Sequence, residues 1–195
     1  MGIGSLNARG LNDVGKRQHL IALCVKHKLS ILAVQETKIA HCGTEDPRNL
    51  EDHALQATTK WKLYFSSGVL DSDREKLLQA KQARKPCGSA TAMFQNDQER
   101  LGMAFLIHKE IDVKDIQPRG SRLMLLTLRT TSSTHIVNVH APTAEVTEES
   151  KDLFYTQLIE LLDEIHHSNN ITIILGGFNA RVYTIEGPEA ATVFG

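Results

Sequence analysis

The stretch NITIILGGFN, residues 170–179, decides how the rest of this chain is read. β-Branched and aliphatic residues run directly into Gly176 and Gly177, followed by Phe178 and Asn179. A short apolar run bounded by a turn signal and by glycines reads as a buried strand. A site at the tip of such a strand usually needs a charge, and this tip has none.

Upstream of it, Thr147 reads as the N-cap of a helix running to about His167. Glu148 and Glu149 fall in its first turn, where the helix dipole favours them. Leu153, Phe154, Leu158, Leu161, Leu162 and Ile165 form its apolar stripe. Three more strands are expected in GMAFLIHKEI (102–111), RLMLLTLRT (122–130) and HIVNVHAPT (135–143), the last stopped by Pro142.

Near the N-terminus, Ile3 to Leu6 begins a strand that ends at Asn7. Asn12 or Asp13 can cap a helix over Val14–His27, with Leu20, Leu23, Cys24 and His27 on one side. SILAVQETK (30–38) follows as a second apolar run, ending in Gln35 and Glu36. Strand, helix, strand in this order argues for a layered α/β arrangement. WKLYFSS (61–67) alternates as a strand does, and residues 41–58 read as a polar, partly helical connection. Residues 69–98, including LDSDREKLLQAKQARKP (70–86), are charged and poor in core residues, and read as a flexible insertion.

The chain is 195 residues long, which suggests one domain with room for a sizeable core. A net charge of -1 gives no global basic field toward nucleic acid, although Arg74, Lys76, Lys81, Arg84 and Lys85 could form a local one. No apolar run reaches membrane-span length. MGIGSLNARG lacks the regions of a signal peptide, and Leu6 stands where a myristoylation motif requires Ser or Thr. Cys24, Cys42 and Cys87 form neither a zinc pattern nor a disulfide framework. A cytosolic or nuclear setting is expected.

Four strands thus end in polar groups: Asn7, Glu36, His140, and Gly177 with Asn179. Strands lying side by side would bring these ends to one edge. One carboxylate with amides and water suits a hard, hydrated ion such as Mg²⁺ better than zinc. An ion held by so few protein groups takes its remaining ligands from water and phosphate, which points to phosphoester hydrolysis. Singly, each residue also has a purely structural reading. Asn7 could bond a turn, Glu36 could be a solvated strand end, His140 could be packed in the core, and Asn179 could fill a left-handed turn position.

Taken in order, LNARGLN (6–12), ILAVQETK (31–38), IVNVHAPT (136–143), FYTQLIELL (154–162) and IILGGFNARV (173–182) form a set. The chain resembles the endonuclease/exonuclease/phosphatase superfamily, and within it the apurinic-type endonuclease domain of non-LTR retrotransposons, the branch with craniofacial development protein 2-like sequences. The likeness runs over about residues 3–182 and is weakest between 41 and 98. It implies a two-sheet α/β sandwich with outer helices that cleaves DNA with Mg²⁺ or Mn²⁺. It also implies that Glu36 and Asn7 serve the metal, with Asn7 orienting phosphate or metal-bound water. His140 would contact the scissile phosphate, and Asn179 would hold the attacking water or a phosphate oxygen. No small-molecule cofactor is implied.

The chain departs from the family pattern twice. Gly177 stands where the pattern has the Asp that prepares water, and RVYTIEGPEAATVFG (181–195) contains no C-terminal Asp-His pair. The expectation is therefore a single domain, incomplete at its C-terminus, with impaired cleavage. The competing expectation is a non-cleaving module that binds DNA or protein. A phosphatase or lipid phosphodiesterase of the same superfamily is a third.

Overall fold

A computed structural model describes residues 1–11, 13–39, 43–45, 60–66, 102–167 and 169–180. The expected insertion at 69–98, its basic residues, Cys42, Cys87 and the 181–195 segment lie outside them. Two mixed sheets stack face to face. In the first, β1 (Ile3–Asn7), β2 (Ile31–Gln35), β5 (Met103–His108), β4 (Trp61–Phe65) and β3 (Gly43–Glu45) lie in that order. In the second the order is β6 (Val113–Pro118), β7 (Leu123–Leu128), β8 (Thr134–His140) and β9 (Ile171–Gly177). The expected α/β sandwich is what the chain forms.

Among the described residues, only β1–β2 and β8–β9 pair in parallel. Parallel neighbours need a crossover, and a helix supplies it in each case. Helix α1 (Val14–Lys26) joins β1 to β2, and α2 (Glu148–Ile165) joins β8 to β9. Asp13 starts α1 by accepting from the Gly15 and Lys16 amides at 2.6 and 3.3 Å. Thr147 caps α2 by accepting from the Ser150 amide.

Burial follows the strand period. In β2 all five residues are buried, with Leu32 and Val34 facing one way and Ile31 and Ala33 the other. Leu32 and Val34 join Leu20, Ile21 and Cys24 of α1, while Ile31 and Ala33 meet Met124, Leu126 and Ile136 of the second sheet. Phe154, Leu158, Leu161 and Ile165 of α2 cover the far side of β7 and β8. Full burial of one such side chain contributes about 1.5–3 kcal/mol. Burial pushes the Cys24 thiol up to about 11, so it behaves as an apolar core residue.

Some expected details are corrected. His27 is exposed and caps the C-terminus of α1, while Ile21 takes the buried place on that helix. Leu153 is exposed, because it falls on the outer side of α2. The connection expected at 41–58 contains the short strand β3. Among the described residues, no helix is long and apolar enough to cross a membrane.

A buried polar group at the lower end of the second sheet makes stability depend on pH. The His135 ring meets the Thr127 hydroxyl at 3.1 Å and the Asn170 amide at 3.2 Å. Burial lowers its pKa from 6.5, with smaller contributions from Lys114 and His167 in the same direction. The folded ring thus binds a proton less readily than the unfolded one. Its share of stability is complete above pH 6.5 and is lost as pH falls through the lower folded value. Urea unfolding at about pH 7.5 and about pH 5 should therefore show a smaller loss in His135→Gln than in the parent. Equal losses would discount this histidine.

Candidate active site

β1 and β2 run in register, Asn7 opposite Gln35, and the pairing continues past their ends. The Ala8 amide donates to Gln35 O, Gly10 to Glu36 O and Leu11 to Thr37 O, at 2.7–2.9 Å. The two loops are thereby fastened to each other. Asn7 Oδ1 accepts from the Arg9 amide at 3.1 Å, which turns Nδ2 toward Glu36 Oε1, 2.6 Å away.

Glu36 has φ 53, the left-handed region. For a residue with a full side chain this conformation costs roughly 1–2 kcal/mol. Such strain persists where surrounding structure enforces it, often at functional sites. Arg9, Lys38 and Asn179 are also left-handed, so among the described residues the strained non-glycine positions gather around these tips, Lys28 excepted. Glu36→Gly should accordingly melt about 2–4 °C above Glu36→Gln, the shift expected for about 1 kcal/mol at this chain length. A Gly variant melting at or below the Gln variant would show that no strain is stored there.

His140 comes from the other sheet. Its Nε2 lies 3.6 Å from Glu36 Oε1, a close approach too long for a good hydrogen bond. The residue is 3% exposed, and Nδ1 has no hydrogen-bond partner among the described residues. Burial lowers its pKa, and the Arg122 guanidinium lowers it further while Glu36 pulls it up, so the ring is neutral near pH 7. Arg122 also donates to His140 O at 3.3 Å.

Gly177 lies opposite His140 in the β8–β9 pairing. Two residues on, Asn179 donates Nδ2 to Ala141 O at 2.5 Å. The tips of β1, β2, β8 and β9 therefore meet at one edge. Asn7, Glu36 and His140 approach through their side chains, and Asn179 is tied in through the backbone beside His140.

Sequence reasoning passed over several groups here. Gln35 and Asn138, 2% and 0% exposed, bond to each other at 2.7 Å across the sheets. The Arg122 guanidinium reaches His140 O, and Thr37 Oγ1 is a second buried atom without a hydrogen-bond partner among the described residues. The available signal was a polar residue interrupting each apolar run, at Gln35 after ILAV and at Asn138 within IVNVH. No cluster of three or more His, Cys, Asp or Glu suited to a metal occurs among the described residues. A separate hollow lined by Lys62, Tyr64, His108 and Lys109 lies at the opposite end of the first sheet.

No family model and no curated protein matches the chain. Solved structures do match. An AP endonuclease from Archaeoglobus fulgidus aligns at TM-score 0.51 and 14% identity over 90% of this chain and 56% of its own. D. rerio TDP2 complexed with a single-strand DNA product aligns at 0.51 and 12% identity over 99% and 64%. ANGEL2, a 2',3'-cyclic phosphatase, in complex with adenosine-2',3'-vanadate aligns at 0.50 and 11% identity over 96% and 51%. This chain thus spans between 51% and 64% of the length of these three. At such identities the likeness is one of architecture, and the chain has the fold of the endonuclease/exonuclease/phosphatase superfamily.

Proposed function

We propose that this chain is a phosphodiesterase domain of the DNA-cleaving type, dependent on Mg²⁺ or Mn²⁺ and slowed by Gly177. The observation that carries the reading is the meeting of Asn7, Glu36 and His140, from both sheets, at one strand-end edge. The whole chain is taken as one domain, with 69–98 as an insertion, in the nucleus or cytosol. The DNA substrate and the retrotransposon branch rest on the resemblance of the ordered motifs.

The donor set fits a weakly held hard cation. Asn7 occupies Glu36 Oε1, which leaves Oε2 without a partner among the described residues. Glu36 would hold the ion. Asn7, with its oxygen turned to Arg9, would act by orienting Glu36. A bound cation would supply Lewis-acid polarisation of a phosphate oxygen. Neutral His140 would present Nε2 to the scissile phosphate, and Arg122 would add positive potential beside it. Asn179 keeps a second amide hydrogen for a phosphate oxygen. Gly177 offers neither base nor hydrogen bond to the water, and loss of a positioned acid-base group costs about 10²- to 10⁴-fold.

Nicking of supercoiled plasmid in Mn²⁺ tests this. The parent should nick slowly, and Glu36→Gln should fall to the background without protein; equal rates would remove Glu36 from the chemistry. Gly177 also favours a second reading, a module that binds DNA or protein without cutting. DNA retention with no Glu36-dependent nicking would select it.

A further inference from the structure

The geometry points to Asn138 and Gln35 as positioning residues that set the separation of Glu36 and His140 across the two sheets. Asn138 lies on β8, two residues before His140 and therefore on the same face. Its Nδ2 donates to Val34 O at 3.1 Å and to Ala104 O at 3.0 Å, on adjacent strands of the other sheet. Its Oδ1 accepts from Gln35 Nε2 at 2.7 Å, and Gln35 Nε2 also lies 3.1 Å from Ser5 Oγ. One amide thus ties β8 to β2 and β5 directly, and through Gln35 to β1.

The anchors sit just beneath the site on both sides. Val34 and Gln35 immediately precede Glu36, and Asn138 precedes His140 by one strand repeat. Apolar contact between stacked sheets is non-directional and by itself permits small slides. Three directional bonds in a dry setting do not. A buried amide left unpaired is costly, so a fully bonded one between two apolar layers selects a single register. That register holds His140 Nε2 3.6 Å from Glu36 Oε1.

The clamp can be tested with and without metal. The first readout is the NMR signal of the Asn7 side-chain amide, which reports its 2.6 Å bond to Glu36. The second, which rests on the phosphodiesterase reading, is Mn²⁺ affinity by calorimetry. Asn138→Leu should move the Asn7 amide signal and weaken Mn²⁺ binding about 10- to 100-fold, as loss of a group supporting a ligand does. Thr127→Val removes a buried hydrogen bond at the far end of the second sheet and should lower the melting temperature alone. If Asn138→Leu does not fold, Gln35→Met, which leaves both backbone bonds of Asn138 intact, decides by the same criteria. An unmoved Asn7 signal in the clamp variants, or an equal movement in Thr127→Val, overturns the inference. A moved Asn7 signal in a protein that binds no Mn²⁺ sustains the clamp and removes the metal reading instead.

Discussion

Gly177→Asp should fold like the parent and, in a fusion supplying the C-terminal Asp-His segment of a related endonuclease, nick DNA roughly 10²- to 10⁴-fold faster than the same fusion with Gly177. The backbone permits the change. Gly177 is not left-handed, and among the described residues a Cβ there would meet only His140 Cδ2, at an ordinary 3.7 Å. The new carboxylate would stand beside His140, where negative charge favours the imidazolium. The His140 pKa, held down by burial and Arg122, should therefore rise. NMR titration measures that shift in the isolated chain, and plasmid nicking measures the gain in the fusion. Equal nicking by both fusions would show that the missing carboxylate is not what slows this site.

The neighbouring glycine should behave in the opposite way. Gly176 has φ 141, and a Cβ there would lie 1.9 Å from Val139 O and within 3 Å of Val139 C and N. These atoms belong to the strand paired with β9, so no side chain can turn aside to make room. Gly176→Ala should cost roughly 4 kcal/mol or more, the range reached when backbone must move. Chemical denaturation of Gly176→Ala beside Gly177→Ala is the comparison; similar midpoints would refute the steric argument. The two glycines of LGGF thus differ in kind. The first is imposed by how closely β9 approaches β8, and the second is a position with room for a side chain beside His140.

The strand tips were legible because each is an apolar run stopped by a polar residue or a glycine. The expected burial holds for β2 and β8 but not for β9, an edge strand among the described residues that leaves Ile171 and Ile174 exposed. The helix starts were legible because Asp13 and Thr147 are strong caps. What was hidden had too little local pattern to show. β6, VKDIQP, is an edge strand whose Lys114 and Asp115 are both exposed, so its apolar alternation is broken. Helical spacing alone placed His27 and Leu153 on buried faces, yet which side of a helix is covered depends on the sheet it crosses. Strand order was hidden too, since nothing local says that β5 inserts between β2 and β4. Gln35 and Asn138 read as polar interruptions until their side chains are seen to meet across 103 residues of sequence.

The two strand orders have a kinetic consequence. In the second sheet, β6, β7, β8 and β9 are neighbours in space in the order they occur in the chain. The first sheet closes only when β5 returns to lie between β2 and β4, after a long excursion. Folding is slower where contacts are distant in sequence, because loop closure precedes the reward of pairing. Residues 113–177 should therefore gain amide protection first in pulsed hydrogen exchange, with β2 and β5 following. Simultaneous protection of both sheets would argue against this order. On this order Glu36 reaches His140 only in the last folding step, and the site is the part of the molecule that a slow or interrupted fold would lose.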